Sequence, residues 1–268
     1  MVKINDLNLK KWKEHADIIT DSLWLIPNRD NSSTHKGDYH GNFVPQIPYQ
    51  LISRYTKKDD TVLDVFLGSG TTLIEAKRLG RNGIGIELVP SVAKVASQRI
   101  NQDSLFNTKA FSEIIVGDST DEESRKRVEK ILIEKKKSGI QLLIMHPPYH
   151  DIIRFSNFKK DLSNAPSLEK FLELFDNVLM NFLPLLEKNR FIAIVIGDKY
   201  YKSEWIPLGS YVLQRTLAHK EVLLKSVIIK NMVNNRAKRN QENLWRYRAL
   251  TGGFYVFRHE YILLFQKR

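Results

Sequence analysis

The stretch from Thr61 to Thr72 reads TVLDVFLGSGTT. Its first half, Thr61–Phe66, is a short apolar run with β-branched residues, which predicts a buried strand. Gly68 and Gly70 then allow the backbone to turn tightly and to approach a bound molecule closely. A helix is predicted over residues 72–79, and the free N–H groups at its start would hold an anion such as a carboxylate.

Further strands and helices alternate on both sides of this unit. Strands are predicted at 83–87, 112–116, 141–145, 191–196 and 221–230, with a final strand pair at 254–257 and 261–265. Helices are predicted at 48–55, 90–100, 122–137, 168–186 and 209–218. Repeated strand–helix units predict an α/β fold with one doubly wound, mostly parallel sheet and helices on both faces. The 268 residues suit a single domain spanning 1–268, with a loop rich in Asn, Ser, Gly and His at 28–48.

The composition points to a polyanionic partner. The chain has 42 Lys and Arg against 30 Asp and Glu, giving a net charge of +12. A basic surface kept for solubility is the alternative explanation. The absence of cysteine excludes disulfides, thiolate metal sites and a cysteine nucleophile. A polar N-terminus and no long apolar run predict a cytoplasmic protein without a membrane partner.

Two carboxylates follow predicted strands. Glu87 comes about twenty positions after the glycine turn, where an acidic residue can accept both ribose hydroxyls of a nucleoside. Asp118 ends the third strand and could accept a hydrogen bond from an adenine amine, although Asp is also common in turns. A solvated strand end is the alternative for Glu87. A dinucleotide site is disfavoured, because its third glycine is replaced by Leu73. The scattered His35, His40 and His219 predict no metal site.

The motif with the most specific chemistry is His146-Pro147-Pro148-Tyr149, at the end of the fourth strand. Successive prolines fix a stiff, non-helical backbone whose carbonyl oxygens can accept bonds from a substrate NH₂ group. Tyr149 offers a flat face for stacking on an extruded base, and His146 offers a ring nitrogen as a second acceptor. Methylation of an aromatic amine needs such acceptors, because the delocalised lone pair must be oriented towards the methyl donor. A structural Pro-Pro turn with a packed tyrosine is the alternative.

These motifs together resemble those of the amino-group DNA methyltransferases, which act on adenine N6 or cytosine N4. Asp64–Thr72 resembles the family's cofactor motif, and His146–Tyr149 resembles its catalytic tetrapeptide, Asp/Asn/Ser-Pro-Pro-Tyr. His40–Gln50 looks like the segment that precedes the cofactor motif. The resemblance implies a Rossmann-like methyltransferase fold and S-adenosylmethionine as cofactor. The cofactor-binding residues it implies are Asp64, Phe66, Gly68, Ser69, Gly70, Thr71, Thr72, Glu87 and Asp118.

The substrate that the resemblance implies is duplex DNA with the target base flipped out. Between Lys225 and Arg248 there are seven Lys or Arg, one Glu and several Asn, which suits phosphate contact and base-edge recognition. We predict a DNA-contacting loop at 231–252 that orders on DNA. A solvated loop without function is the alternative. The predicted nucleic-acid contacts are Arg154, Lys230, Arg236, Lys238, Arg239, Trp245, Arg246 and Arg248.

The sequence departs from the family pattern in three respects. The tetrapeptide begins with His146, so the usual indication of the target base is missing, and prevalence alone favours adenine N6 over cytosine N4. The cofactor motif precedes the catalytic one, although its wording is commoner in members with the opposite order, which suggests a circularly permuted relationship. No separate target-recognition domain is visible, so a second copy of the chain or a specificity or restriction partner would supply it. The alternatives are methylation of an RNA guanine amine or a protein glutamine amide, and a non-catalytic DNA-binding subunit.

Overall fold

The structure is a computed structural model that describes residues 3–39, 41–102, 109–232 and 242–268. Its strands are β1 Leu23–Trp24, β2 Thr61–Asp64, β3 Asn82–Glu87, β4 Ser112–Val116, β5 Ile140–Met145, β6 Leu186–Ile196, β7 Lys199–Tyr201, β8 Glu204–Ile206, β9 Val222–Asn231 and β10 His259–Lys267. Its α-helices are α1 Gln46–Tyr55, α2 Thr71–Arg78, α3 Pro90–Gln102, α4 Glu122–Glu134, α5 Leu168–Phe182, α6 Leu208–Leu217 and α7 Glu242–Gly252.

Eight strands form one sheet in the order β1-β9-β10-β6-β5-β2-β3-β4. Strand β10 is antiparallel to both of its neighbours, and the other pairs are parallel. The remaining strands, β7 and β8, form a separate antiparallel hairpin. The predicted α/β, mostly parallel architecture is therefore confirmed.

Helices cover both faces of the sheet because successive strand residues point to opposite sides. Leu63 belongs to the larger core cluster, which includes Phe175 of α5 and Val128 of α4. Its neighbour Val62 belongs to the second cluster, together with Leu51 of α1. The short, fully buried strands are thus explained by apolar residues that are needed on both faces. Within the described residues, we find no helix with the length and apolar character needed to cross a membrane.

Two local predictions were wrong, one at residues 254–257 and one at residues 231–252. Residues 254–257 form no strand, because their aromatic side chains pack against the β7–β8 region; the ring centroids of Phe254 and Tyr200 are 4.2 Å apart. The pair predicted there is the single strand β10, which lies between β6 and β9. The predicted helix at 168–186 ends at Phe182, before a short 3₁₀ turn that contains Pro184. The loop predicted at 231–252 is wrong at both described ends, since Asn231 ends β9 and residues 242–252 form α7.

Candidate active site

The glycine turn after β2 forms a cradle at the carboxyl edge of the sheet. Gly68 has a φ of +53° and donates its N–H to Glu87 Oε2 at 2.9 Å. Gly70 has a φ of +93° and precedes α2, and a Cβ there would lie 3.2 Å from the Cβ of Ala96. Both positions therefore need glycine, for backbone conformation and for close packing. The turn holds Glu87 beside the backbone that a ligand would approach.

The cradle contains two buried carboxylates. Glu87 accepts N–H groups from Gly68 and Val89, yet burial raises its pKa to about 7. Asp64 accepts the N–H of Phe66, and burial raises its pKa to about 6. Burial outweighs these hydrogen bonds because removing a carboxylate from water disfavours its charged form. Polar ligand groups that donate to Glu87 would restore part of that lost hydration.

Asp118 lines the same cavity, and one of its two carboxylate oxygens makes no hydrogen bond to a described residue. Its Oδ1 accepts the backbone N–H and the hydroxyl of Thr120, each at 2.9 Å. Its Oδ2 is buried and has no hydrogen-bond partner among the described residues, with Lys160 Nζ 3.7 Å away. A buried acceptor that has an ion pair but no hydrogen bond can still accept a donor from a ligand. The adenine amine of S-adenosylmethionine is such a donor, so the residues at this cradle fit that cofactor.

Four of the predicted cofactor residues lie behind the cradle instead of lining the cavity. Buried there are Ser69, Gly70, Thr71 and Thr72, whereas Asp64, Phe66, Gly68, Glu87 and Asp118 line the cavity. Thr71 donates its hydroxyl to Asn42 Oδ1 at 2.6 Å, and Asn42 does line the cavity. These residues would therefore act by holding the turn and the neighbouring loop in place.

The loop predicted at 28–48 closes the cradle. A buried contact of 2.5 Å joins His35 Nε2 to Glu75 Oε1 on α2, and Asp38 pairs with Arg99 of α3 at 2.7 Å. These contacts bring Tyr39 next to Gly68, where its Cε1 would lie 3.1 Å from an added Cβ. The sequence alone did not indicate Tyr39 as a site residue. His40 lies outside the described residues.

The predicted catalytic turn opens into the same cavity, whose volume is about 940 Å³. Asp64 at the end of β2 is in register with Ile144 of β5, so the turns that follow both strands leave the sheet side by side. Neighbouring strands are about 4.8 Å apart. His146, Pro147, Pro148 and Tyr149 line this cavity together with Glu87 and Asp118. The structure thus brings the cofactor candidates and the catalytic candidates to one site.

Tyr149 is held in place by close packing and by a polar chain. Its ring lies against Gly197, where an added Cβ would be only 2.7 Å from Cε2. Its hydroxyl donates to Glu260 Oε2 at 2.9 Å and lies 3.3 Å from His146 Nε2. The His146 ring also contacts Phe43, with centroids 4.8 Å apart. Burial lowers the pKa of His146 to about 4, so its imidazole is neutral at pH 7.

The side chain of Lys230 is buried in the interior. Lys230 was predicted to contact nucleic acid, but it is only 5% exposed and its Nζ lies 2.9 Å from Glu260 Oε1. The two residues face each other across β9 and β10. Glu260 was missed because strand pairing over thirty residues is not visible in the sequence around it. Both residues line the cavity beside Tyr149.

The outer part of the cavity is aromatic and near basic groups. Tyr200 and Phe254 are stacked there, Trp245 lines the wall, and Tyr255 is 89% exposed. The guanidinium of Arg248 lies 5.4 Å from the Trp245 ring centroid. The other described candidates for nucleic-acid contact, Arg154 and Arg246, are exposed. Arg236, Lys238 and Arg239 lie outside the described residues.

Comparison with known proteins shows the family of the chain. The model of the family described as DNA methylase (N6_N4_Mtase) matches residues 2–98 and 140–268. The Type II methyltransferase M.BglI of Bacillus subtilis is 31% identical over 139 residues, which is 51% of this chain and 38% of the relative. M.MthZI of Methanothermobacter thermautotrophicus is 46% identical over 95 residues, which is 34% of this chain and 26% of the relative. The chain thus matches well under half the length of either relative.

The fold is also similar to that of a solved methyltransferase structure. A SAM-dependent methyltransferase structure from Methanosarcina mazei aligns with a TM-score of 0.51 at 12% identity, covering 81% of this chain and 96% of that one. At this identity the likeness concerns the fold alone. The family model, by contrast, covers most of the chain, including the glycine turn, Glu87 and residues 146–149, whereas Asp118 lies in the stretch that it does not match. The chain therefore has an S-adenosylmethionine-dependent methyltransferase fold and belongs to the DNA methylase family of the N6/N4 amino-methyltransferases.

Proposed function

We propose that the protein methylates the exocyclic amino group of a base in duplex DNA, with S-adenosylmethionine as donor. We favour adenine N6 over cytosine N4 as the target atom. The observation that carries this proposal is that the acidic cradle and the His-Pro-Pro-Tyr turn share one cavity. The match to the family described as DNA methylase supports DNA over other amine substrates.

The residues of the cradle would bind the donor in a fixed orientation. Glu87 would accept the ribose hydroxyls, Asp118 Oδ2 would accept the adenine amine, and the turn at Gly68 would let the backbone approach the methionine part. When bound, the cofactor supplies a methyl group on a sulfonium; its C–S bond breaks as the N–C bond forms, and the amine loses one proton to water. The cradle contributes by holding that methyl group close to the catalytic turn.

The catalytic turn would position the acceptor amine. The Pro147 carbonyl and the His146 ring would accept its two N–H bonds, and the Tyr149 ring would stack on the base. The stacked pair Tyr200 and Phe254 would form a second apolar wall of the base pocket. Such a pocket accepts a base only after it has left the duplex, because the paired base would present its amine inside the stack.

The duplex would lie across the exposed cations near the cavity mouth. Arg246 and Arg248 are exposed on α7, and Arg154 is exposed on the segment after the catalytic turn. These cations would contact phosphates and give affinity without sequence information. Tyr255, exposed at the cavity, offers an aromatic surface for an unpaired base.

The test is transfer of labelled methyl from S-adenosylmethionine to unmethylated duplex DNA, with the nucleosides separated and identified by mass. N6-methyladenine is the expected product, and N4-methylcytosine would correct the base while supporting the reaction. Single-stranded DNA and RNA of the same sequence serve as matched substrates. Label in RNA alone would refute DNA as substrate. Cofactor binding with no label in any nucleic acid would refute catalysis and favour a binding subunit.

The matched variant is Tyr149→Ala, because its ring would stack on the base without touching the cradle. We expect it to bind S-adenosylmethionine as the wild type does and to lose about 100-fold or more in kcat, since loss of a positioning contact commonly costs this much. Unchanged kcat in this variant would contradict the placement of the target base beside the turn.

A further inference from the structure

A buried polar chain leads from the sheet to the catalytic turn. The ammonium of Lys230 lies 2.9 Å from Glu260 Oε1, and the hydroxyl of Tyr149 lies 2.9 Å from Glu260 Oε2. His146 Nε2 lies 3.3 Å from that same hydroxyl oxygen. Lys230 and Glu260 are 5% and 6% exposed. The inner end of this polar chain is therefore buried, and each of its members has a hydrogen-bond or ion-pair partner.

The direction of the hydrogen bonds in this chain follows from proton counting. A phenol has one proton, and Tyr149 uses it to donate to the Glu260 carboxylate, which has only acceptors. The Tyr149 oxygen can then only accept from His146, so His146 Nε2 must carry the proton. In a neutral imidazole the other ring nitrogen, Nδ1, keeps its lone pair. Among the described residues, the hydrogen bond of the His146 ring is made by Nε2, and Nδ1 makes none.

We infer that His146 Nδ1 is the acceptor that orients the target amino group, and that Glu260 and Lys230 are positioning residues that fix this tautomer. The inference rests on the proposed methylation of a base amine. One lone pair on Nδ1 and one on the Pro147 carbonyl would match the two N–H bonds of the amine.

The surroundings of His146 are consistent with this task. Phe43 packs against one side of the ring, so the imidazole cannot rotate freely. The charged groups that face it are Glu260 and Lys230, and their effects on its charge oppose each other. A protonated ring would turn Nδ1 into a donor and repel the amine. The chain therefore keeps one nitrogen occupied and leaves the other available as an acceptor.

The tautomer can be measured in the free protein without substrate. Long-range ¹H–¹⁵N spectra at pH 7.5 distinguish ring nitrogens with and without a proton. We expect His146 to show one form, protonated at Nε2, and Tyr149→Phe and Glu260→Gln to give mixed forms because each breaks the chain. A proton on Nδ1, or a charged ring, in the wild type would overturn the inference.

The protein contains a second tyrosine–histidine pair that serves as a matched control for these variants. Tyr261 donates to Asp198 at 3.3 Å and lies 3.1 Å from His259 Nε2, so it repeats the same arrangement with a different histidine. Tyr261→Phe should change the spectrum of His259 and leave that of His146 as it is. An equal effect of Tyr261→Phe on His146 would mean that the variants act through general disturbance of the fold, and would overturn the assignment.

Two substitutions at His146 then test the acceptor in catalysis. Asparagine places its side-chain oxygen near the position of Nδ1, whereas glutamine reaches the position of Nε2. We expect His146→Asn to keep kcat within about tenfold and His146→Gln to lose about 100-fold or more, the cost of removing one transition-state hydrogen bond. The reverse order would overturn the inference. If the wild type transfers no methyl group, the proposed function fails, while the tautomer measured in the free protein still decides the positioning role of Glu260.

Discussion

We expect Glu87 to make cofactor binding depend on pH. Burial raises its pKa from 4.5 to about 7, and we propose that the ribose hydroxyls donate to its charged form. If only the ionised carboxylate binds, the Kd for S-adenosylmethionine should be about tenfold higher at pH 6 than at pH 8, since a tenfold change accompanies each pH unit below the pKa. Isothermal titration calorimetry at pH 6, 7 and 8 measures this directly.

The control for this measurement is Glu87→Gln, which removes the titration and keeps the shape of the side chain. The amino group of the ligand titrates near pH 8, so the pH slope of the wild type is compared with the slope of the variant. Asp64 has a pKa raised to about 6 and can contribute only about twofold over the same interval. Equal slopes in wild type and Glu87→Gln would refute the ribose role.

The same carboxylate should lower the stability of the free protein at neutral pH. A folded-state pKa above the unfolded value of 4.5 means that the folded state holds the proton more tightly. Stability from this group is therefore greatest below pH 4.5 and falls as the pH rises through about 7, by about 3 kcal/mol in total. Urea unfolding of the wild type should lose this amount relative to Glu87→Gln, and saturating cofactor should restore part of it.

Two other substitutions follow from the geometry. Gly70→Ala should destabilise the fold by about 2–3 kcal/mol, because the left-handed backbone costs about 1–2 kcal/mol and the new Cβ crowds Ala96. Gly253→Ala shares the positive φ but meets open space, so urea unfolding should show only the backbone cost, and equal losses would refute the packing argument. Arg246→Gln should reduce the slope of log K against log salt for duplex DNA by about 0.9, the contribution of one phosphate contact. Lys130→Gln on α4 makes the same charge change away from the cavity, and an equal effect would point to net charge alone.

The sequence predicted the parts of this molecule that depend on neighbours in the chain. The strand ending at Asp64, the glycine turn and the helix after it follow from local apolar pattern and glycine placement, and the fold confirms them. The carboxylate at Glu87 could be placed at the same edge because parallel strands end together. Its raised pKa could not be predicted, since it depends on how deeply the folded protein buries the side chain and on the nearby charges of Asp64 and Asp161.

What the sequence could not predict depends on long-range pairing. Lys230 looked like a member of a basic surface because seven cations lie between Lys225 and Arg248. Pairing of β9 with β10 instead places it opposite Glu260, and burial makes the ion pair necessary. The helix α7 was missed because its apolar residues have no single face, so periodicity gave no signal.

The antiparallel strand gives this site its distinctive chemistry. Because β10 runs against its neighbours, its first residues lie at the edge where the parallel strands end, with Tyr261 opposite Ile196 and Glu260 opposite Lys230. A parallel strand in this place would put its first residues at the far edge. Glu260 can therefore reach Tyr149, and through it act on His146, from more than a hundred residues away along the chain. The order of the motifs matters little to this arrangement, because β2 and β5 are neighbours in the sheet whichever comes first in the sequence.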